Sequence, residues 1–268
     1  MANLIRTAKS GNEWTNDDLI SYNISIEYED ASTFFETDEM PAPSVDEDVL
    51  TMEDRTKDPA TIGSAQLICH LDHSLKPTPR ETSRVVDFAR VLLPILGYDG
   101  LSTVVCMRAT IPFEVCGECR STLVDVCLED VARGDIPLRD IPLVIQEDKR
   151  HMDDWLDARA QLVAGAIGAF ARNNKLRREA GLPVVNSAIK LGIVLLGTTP
   201  TFFKIPVTAD LVRHVQLGTY PQEKTIVSAH IPSVPSPLQL PSEGMKSLDN
   251  RYALLSCYQA FKTFLTSK

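Results

Sequence analysis

The sequence predicts an α/β (α+β) fold in which helices flank a mixed central β-sheet. Three observations predict it. Short β-rich runs punctuated by Pro and Gly fill residues 103–128 and 142–146, a long helical pattern covers 153–180, and further β-rich runs follow at 191–197 and 201–207. Hydrophobic residues at 44% and charged residues at 24% of 268 positions are the composition of a globular chain with a sizeable core. No run approaches the roughly 18 apolar residues of a membrane span, so membrane, fibrous and disordered classes are set aside.

Taken in order, residues 17–29, DDLISYNISIEYE, read as a short helical turn and a first strand, because Ile24, Ile26 and Tyr28 alternate. Residues 78–96 read as a helix. Val85, Phe88, Ala89 and Leu92 share a face, Thr78 stands at the cap, Pro79 in the first turn, and Pro94 with Gly97 end it. Strands are expected at 103–108, 111–116, 123–128 and 142–146. In 153–180, Trp155, Ala158, Leu162, Val163, Ala166, Ile167 and Phe170 recur at helical spacing until Gly181 and Pro183 stop the pattern. Strands 191–197 and 201–207, joined by a TTP turn, precede a short helix at 209–216 capped by Thr208. Residues 225–230 read as another strand, IPSVPSPLQLP as an extended surface segment, and 248–265 as a last helix bearing Leu254, Leu255, Tyr258, Phe261 and Phe264. The division this suggests is 1–77, a strand with short helix and an acidic linker, and 78–268, an α/β core ending in the Pro-rich segment and the last helix.

The formal charge of −9 is unevenly placed. Residues 27–58 hold twelve acids against Arg55 and Lys57, so the rest of the chain is close to neutral. The segment reads as a solvated, mobile linker or, more sharply, as a lid that mimics nucleic acid over a basic groove. Six cysteines in a chain this long are expected as reduced, partly buried thiols. Cys116 and Cys119 make one CxxC, with Cys69, His70 and His73 as further ligand types, but a structural zinc site usually shows two close pairs. The start, MANLIRTAKSGNEW, lacks a secretory h-region, and an intracellular home, cytoplasmic or nuclear, is the expectation. Neither a dinucleotide-binding GxGxxG nor a P-loop occurs.

The apolar run at 141–145 ends in Glu147, Asp148, Lys149, Arg150 and His151, and the run before it, LVDVCLED, interrupts its apolar residues with Asp125. A carboxylate inside an apolar strand is costly unless paired or bound to a cation. Glu147 and Lys149 share a side by the period of two, with Asp148 between them pointing the other way. Two carboxylates from adjacent strands beside a lysine suit a hard cation. Magnesium takes oxygen ligands at about 2.0–2.1 Å and keeps several waters. A bound metal lowers the pKa of a water and stabilises charge at phosphorus, and a lysine can orient or deprotonate that water. The competing reading is a solvated strand end and a satisfied core aspartate. Glu118 is a further ligand or a turn cap, and His151 a phosphate contact or a surface residue. Arg172, Lys175, Arg177 and Arg178 hold a nucleic-acid backbone or form the solvated helix end where cations are favoured.

At these residues the sequence resembles the PD-(D/E)XK nuclease superfamily, the restriction-endonuclease-like fold. Asp125 matches its first acidic position, and Glu147, Asp148 and Lys149 match its E-x-K signature. The resemblance covers residues 78–207 and implies a sheet built in the order helix, three strands, helix, strand. It implies that Asp125, Glu147 and the Asp148 backbone carbonyl bind Mg²⁺ or Mn²⁺, that Lys149 activates water, and that Glu81 on the first helix and Gln161 on the helix after the lysine shape the site. Two departures stand out: 21 residues separate Asp125 from Glu147, with VARGDIPLRDI as an inserted loop, and Val124 stands where the family name has Pro. The whole chain also looks like a group of fungal proteins that carry this core and have no established activity. The implied activity is metal-dependent hydrolysis of DNA, or of RNA, with nucleic acid as partner, no membrane partner and a homodimer as one assembly open to the fold. The alternative is a nuclease-fold binding or interaction module without turnover.

Overall fold

The computed structural model describes residues 6–54, 57–74, 84–130, 140–147 and 155–266, the side chains of 147, 155–157 and 266 excepted. In chain order the elements are α1 (Asn16–Ser21), β1 (Ile24–Tyr28), α2 (Ala31–Phe35), α3 (Glu47–Thr51), α4 (Ile62–Ser74), α5 (Arg84–Ile95), β2 (Thr103–Val115) and β3 (Glu118–Asp130). Then follow β4 (Leu143–Glu147), α6 (Trp155–Glu179), β5 (Ser187–Leu196), β6 (Thr199–Thr208), α7 (Ala209–Leu217), β7 (Thr225–His230) and α8 (Leu248–Thr266). The fold class is the expected one, a mixed sheet flanked by helices. Among the described residues no helix is long and apolar enough to cross a membrane.

The sheet runs β1-β7-β6-β5-β4-β3-β2. β1 pairs with β7 and β4 with β5 in parallel, and the remaining neighbours are antiparallel. A parallel neighbour needs a crossover, and α6 supplies it between β4 and β5. β2 and β3 close as a hairpin at Cys116 and Gly117, whose φ values of 52° and 78° give the turn a twist that matches its strands. The first strand of the sequence is therefore an edge of the same sheet as residues 225–230, and the expected strands 103–108 and 111–116 are one strand.

Each face of the sheet buries its own core. On one face Val124, Val144, Val194 and Ile205 meet Leu162, Ala166 and Phe170 of α6. On the other, Val126, Leu143, Ile145 and Ile193 meet Phe88 and Leu92 of α5 and Leu255 and Phe261 of α8. Burial on both faces is why 141–145 reads as an unbroken apolar run. α6 lies close to the strands because small residues line its contact face. A Cβ on Gly192 of β5 would stand 2.7 Å from Leu162 Cδ2, and one on Gly165 of α6 would stand 3.3 Å from Val124 Cγ2.

The acidic segment is no free linker. Phe34 and Phe35 of α2 and Val49 of α3 enter the α5/α8 core. Asp46 accepts from Ser64 Oγ at 2.8 Å, Asp48 accepts from the Ala60 amide at 2.6 Å, and Glu36 pairs with Lys204 at 2.7 Å. Hydrogen bonds from Thr61 and Ser64 hold the Asp46 carboxyl below its ordinary range. Short polar partners and apolar anchors thus hold a stretch whose charge alone reads as solvated.

Candidate active site around Asp125

Asp125 sits at a fault in the β2–β3 ladder. The rungs Met107↔Val126 and Ala109↔Val124 bracket it, and its counterpart on β2, Arg108, has φ of 52°. Across this rung the pleat changes phase. Cys127 faces the α6 core, yet so does Val124 three residues earlier, while Val126 faces the other core. Non-glycine residues in the left-handed region occur where the surroundings impose them, and such faults re-aim a side chain.

The re-aimed carboxylate is 3% exposed and accepts a 2.9 Å hydrogen bond from Nε2 of Gln146, itself 4% exposed. Gln146 stands directly across from it, since Val126 pairs with Ile145 and the strands are antiparallel. A buried carboxylate needs such a donor, worth about 1.5–3 kcal/mol when one partner is charged. On its other edge β4 pairs position 147 with Leu195 of β5. Alternation along β4 puts Gln146 on the α6 face with Val144, where the Asp125 carboxylate meets it. The side chain of Glu147 lies outside the described ones.

Gln161 lies on α6 and donates from Nε2 to the Asn12 carbonyl at 3.0 Å. Asn12 in turn binds β3 with its side chain, accepting from the Leu123 amide at 2.7 Å and donating to the Leu123 carbonyl at 3.1 Å. An amide side chain thus takes the place of a neighbouring strand at Leu123. This relay from Gln161 ends on the backbone of Leu123, two residues before Asp125 on β3. Glu81, Asp148, Lys149 and His151 lie outside the described residues.

Sequence reading missed three participants. Gln146 was legible in principle, because counting back along the antiparallel pair places it opposite Asp125. Asn12 carried no signal. Arg159, 7% exposed on α6, donates to the Tyr28 hydroxyl at the carboxyl end of β1. It stands at the end of the sheet where the carboxyl termini of β1, β4 and β5 gather, the usual ligand crevice of a sheet with parallel strands.

The basic end of α6 is engaged in the fold. Arg172 pairs with Glu129 at 3.3 Å, Arg177 donates to the Pro183 carbonyl at 2.6 Å, and Lys175 stands 4.0 Å from Glu179. Cys119 is exposed and Cys116 stands 3.6 Å from the Tyr22 hydroxyl. Glu118 pairs with Arg120 beside the hairpin turn. Among the described residues no three His, Cys, Asp or Glu side chains group as a metal site. Comparison with models of known protein families finds no match, and comparison with characterised proteins finds none either.

Proposed function

We propose that the chain is a metal-dependent, nuclease-like phosphodiesterase acting on DNA or RNA, with Asp125 as the first carboxylate of its Mg²⁺ or Mn²⁺ site. The observation that carries the reading is a buried, donor-oriented carboxylate at a ladder fault, beside the end of the strand that leads into Glu147, Asp148 and Lys149. The element order supports it as well: α5, the antiparallel run β2–β3–β4, crossover α6 and parallel β5 follow the order implied by the resemblance.

Asp125 fits the cation as a hard oxygen donor, and Gln146 orients it as an outer-shell partner does. Bound metal would supply a water of lowered pKa and charge stabilisation at phosphorus. The chain's own work is to hold that carboxylate, to wall the site with Gln161 fixed on Asn12, and to position a water through Lys149. Plasmid incubated with Mn²⁺ should be nicked by the native chain and left intact by Asp125→Ala and Lys149→Ala. Nicking that persists in both variants would overturn the assignment. Comparing Glu147→Gln with Asp148→Asn then reports which acid works with Asp125.

A second reading, an interaction module without turnover, is favoured by Gln146. The position directly across from Asp125 holds a neutral amide where two facing carboxylates would chelate. Calorimetric binding of Mn²⁺ with no cleavage of duplex DNA, single-stranded DNA or RNA would decide for this reading.

A further inference from the structure

Cys106 of β2 and Cys127 of β3 are direct partners in the antiparallel ladder, and both pack on the α6 side of the sheet. Cys127 belongs to that core and is 0% exposed, whereas Cys106 packs against it and is half-buried. Both are reduced. Sharing a rung sets them apart from the other four cysteines. Cys69 is on α4 and Cys257 on α8, helices that pack on the opposite face. Cys116 and Cys119 lie at the hairpin turn, eight to ten residues and so roughly 25–30 Å along the strands.

Residues opposed on an antiparallel rung have Cα atoms about 4.5 or 5.5 Å apart, according to the kind of rung, and Cβ atoms about 4.5–5.5 Å apart. A disulfide takes Cα separations of about 4.4–6.8 Å and Cβ separations of about 3.5–4.5 Å. Either kind of rung meets the first requirement, and the second needs an approach of about 1 Å. Two features of the sheet permit it. β2 is its terminal strand, and the ladder is interrupted two positions further on, at Arg108 and Asp125. A terminal strand beside such a fault can shift locally while the inner strands keep their register.

We propose that Cys106 and Cys127 form a reversible redox clamp, closed by a low-molecular-weight disulfide such as glutathione disulfide. Cys106, the thiol within reach of solvent, attacks as its thiolate. The S–S bond of the reagent breaks, a mixed disulfide forms on Cys106, and the first reagent thiol leaves with the proton that Cys106 gave up. Cys127 then displaces the second reagent thiol, which takes the proton of Cys127, and the Sγ–Sγ bond forms. Two electrons pass from the protein dithiol to the reagent, and excess reduced thiol reverses both steps. The closed clamp pins β2 to β3 beside the fault that aims Asp125, and it stands independently of the phosphodiesterase reading.

To test it, the intact chain is held at about pH 8 without denaturant in oxidised or reduced glutathione, quenched by alkylation and digested with trypsin. Cleavage after arginine puts Cys106 in peptide 91–108, Cys116 and Cys119 in 109–120, and Cys127 in 121–133. Glutathione disulfide should link 91–108 to 121–133, and reduced glutathione should release them. Cys127→Ser should stop at a glutathione adduct on Cys106, and Cys106→Ser should leave Cys127 a thiol. Should Cys127→Ser not fold, the native chain and Cys106→Ser still decide. The clamped chain should unfold at a urea midpoint higher by about 1 M, because the bond closes a loop of about 20 residues in the unfolded state. A glutathione adduct that persists on Cys106 of the native chain would overturn the proposal. So would linkage seen only in urea that unfolds the chain, no linkage at about 10 mM glutathione disulfide, or a midpoint that fails to rise.

Discussion

The hydrogen bond between Gln146 and Asp125 places a measurable demand on both residues. Gln146→Met keeps the volume and removes the donor, so the buried carboxylate loses a partner, and urea unfolding at pH 7 should show a loss of about 1–3 kcal/mol. Gln146→Glu sets two buried acids face to face. Like charges at that spacing destabilise the chain, and if a cation belongs there, Mn²⁺ should restore the midpoint, whereas Ca²⁺-free buffer with chelator should not. Recovery absent at saturating Mn²⁺ would count against the metal site. The cysteines offer a separate residue-level check. Burial pushes the thiols of Cys127 and Cys257 up to about 12 from an ordinary 9.0, while Cys119 is exposed. A thiol-specific chromophore at pH 8 should label Cys119 at once and reach Cys127 and Cys257 only on unfolding. A folded pKa raised above the unfolded one means that this stability is complete below pH 9 and lost as pH climbs toward 12. By pH 10 the loss is on the order of 1 kcal/mol for each thiol, read from urea midpoints at pH 8 and pH 10.

At the scale of elements, the crossover α6 depends on small residues beneath it. Gly192→Ala drives a methyl against Leu162 and should cost about 1–3 kcal/mol, and the double variant with Leu162→Ala should be more stable than the two single losses predict, by about 1 kcal/mol or more. A purely additive cycle would mean that the two do not press on each other. The strongest elements were legible because one period governs each: α6 by its helical recurrence, β5 and β6 by their apolar runs, α7 by the Thr208 cap, whose hydroxyl accepts from the Leu211 amide at 3.0 Å. Other elements were not. α4 buries Ser64, Leu67, Ile68 and Leu71 at helical spacing, but the stripe is short, opens on a serine and makes a weak signal in 62–74. The continuity of β2 through Arg108 depends on a left-handed residue that no pattern of side chains encodes. The candidate site was legible in the same measure. Asp125 was recognisable as a carboxylate among apolar neighbours, but the face of position 147 depends on register, which the hairpin and the 21-residue connection set together and which a sequence period of two cannot fix by itself.

For the molecule as a whole, the question is what the acidic segment does, since its own charge exceeds the net charge of the chain and yet it packs on the side of the sheet away from Asp125. Val49 is 1% exposed, and Arg251 binds the carbonyls of Val49 and Met52, so this segment closes the α5/α8 core and helps satisfy a buried cation. Deleting residues 36–58 should therefore unsettle the fold, by at least about 3 kcal/mol, because it strips partners from a buried charge as well as apolar surface. A nuclease assay on that deletion would report unfolding and say nothing of a lid. The informative variant keeps the chain and removes the charge: Asp38→Asn, Glu39→Gln, Glu47→Gln and Asp58→Asn together, all at exposed positions. Its urea midpoint should match that of the native chain. Its affinity for DNA at about 0.15 M salt should change less than about twofold, because charges more than a Debye length of about 8 Å from the site are screened. A rise of tenfold or more would show that the acid competes with nucleic acid for one surface, and the segment would then be a lid after all; an unchanged affinity with a collapsed deletion variant would make it a structural strap.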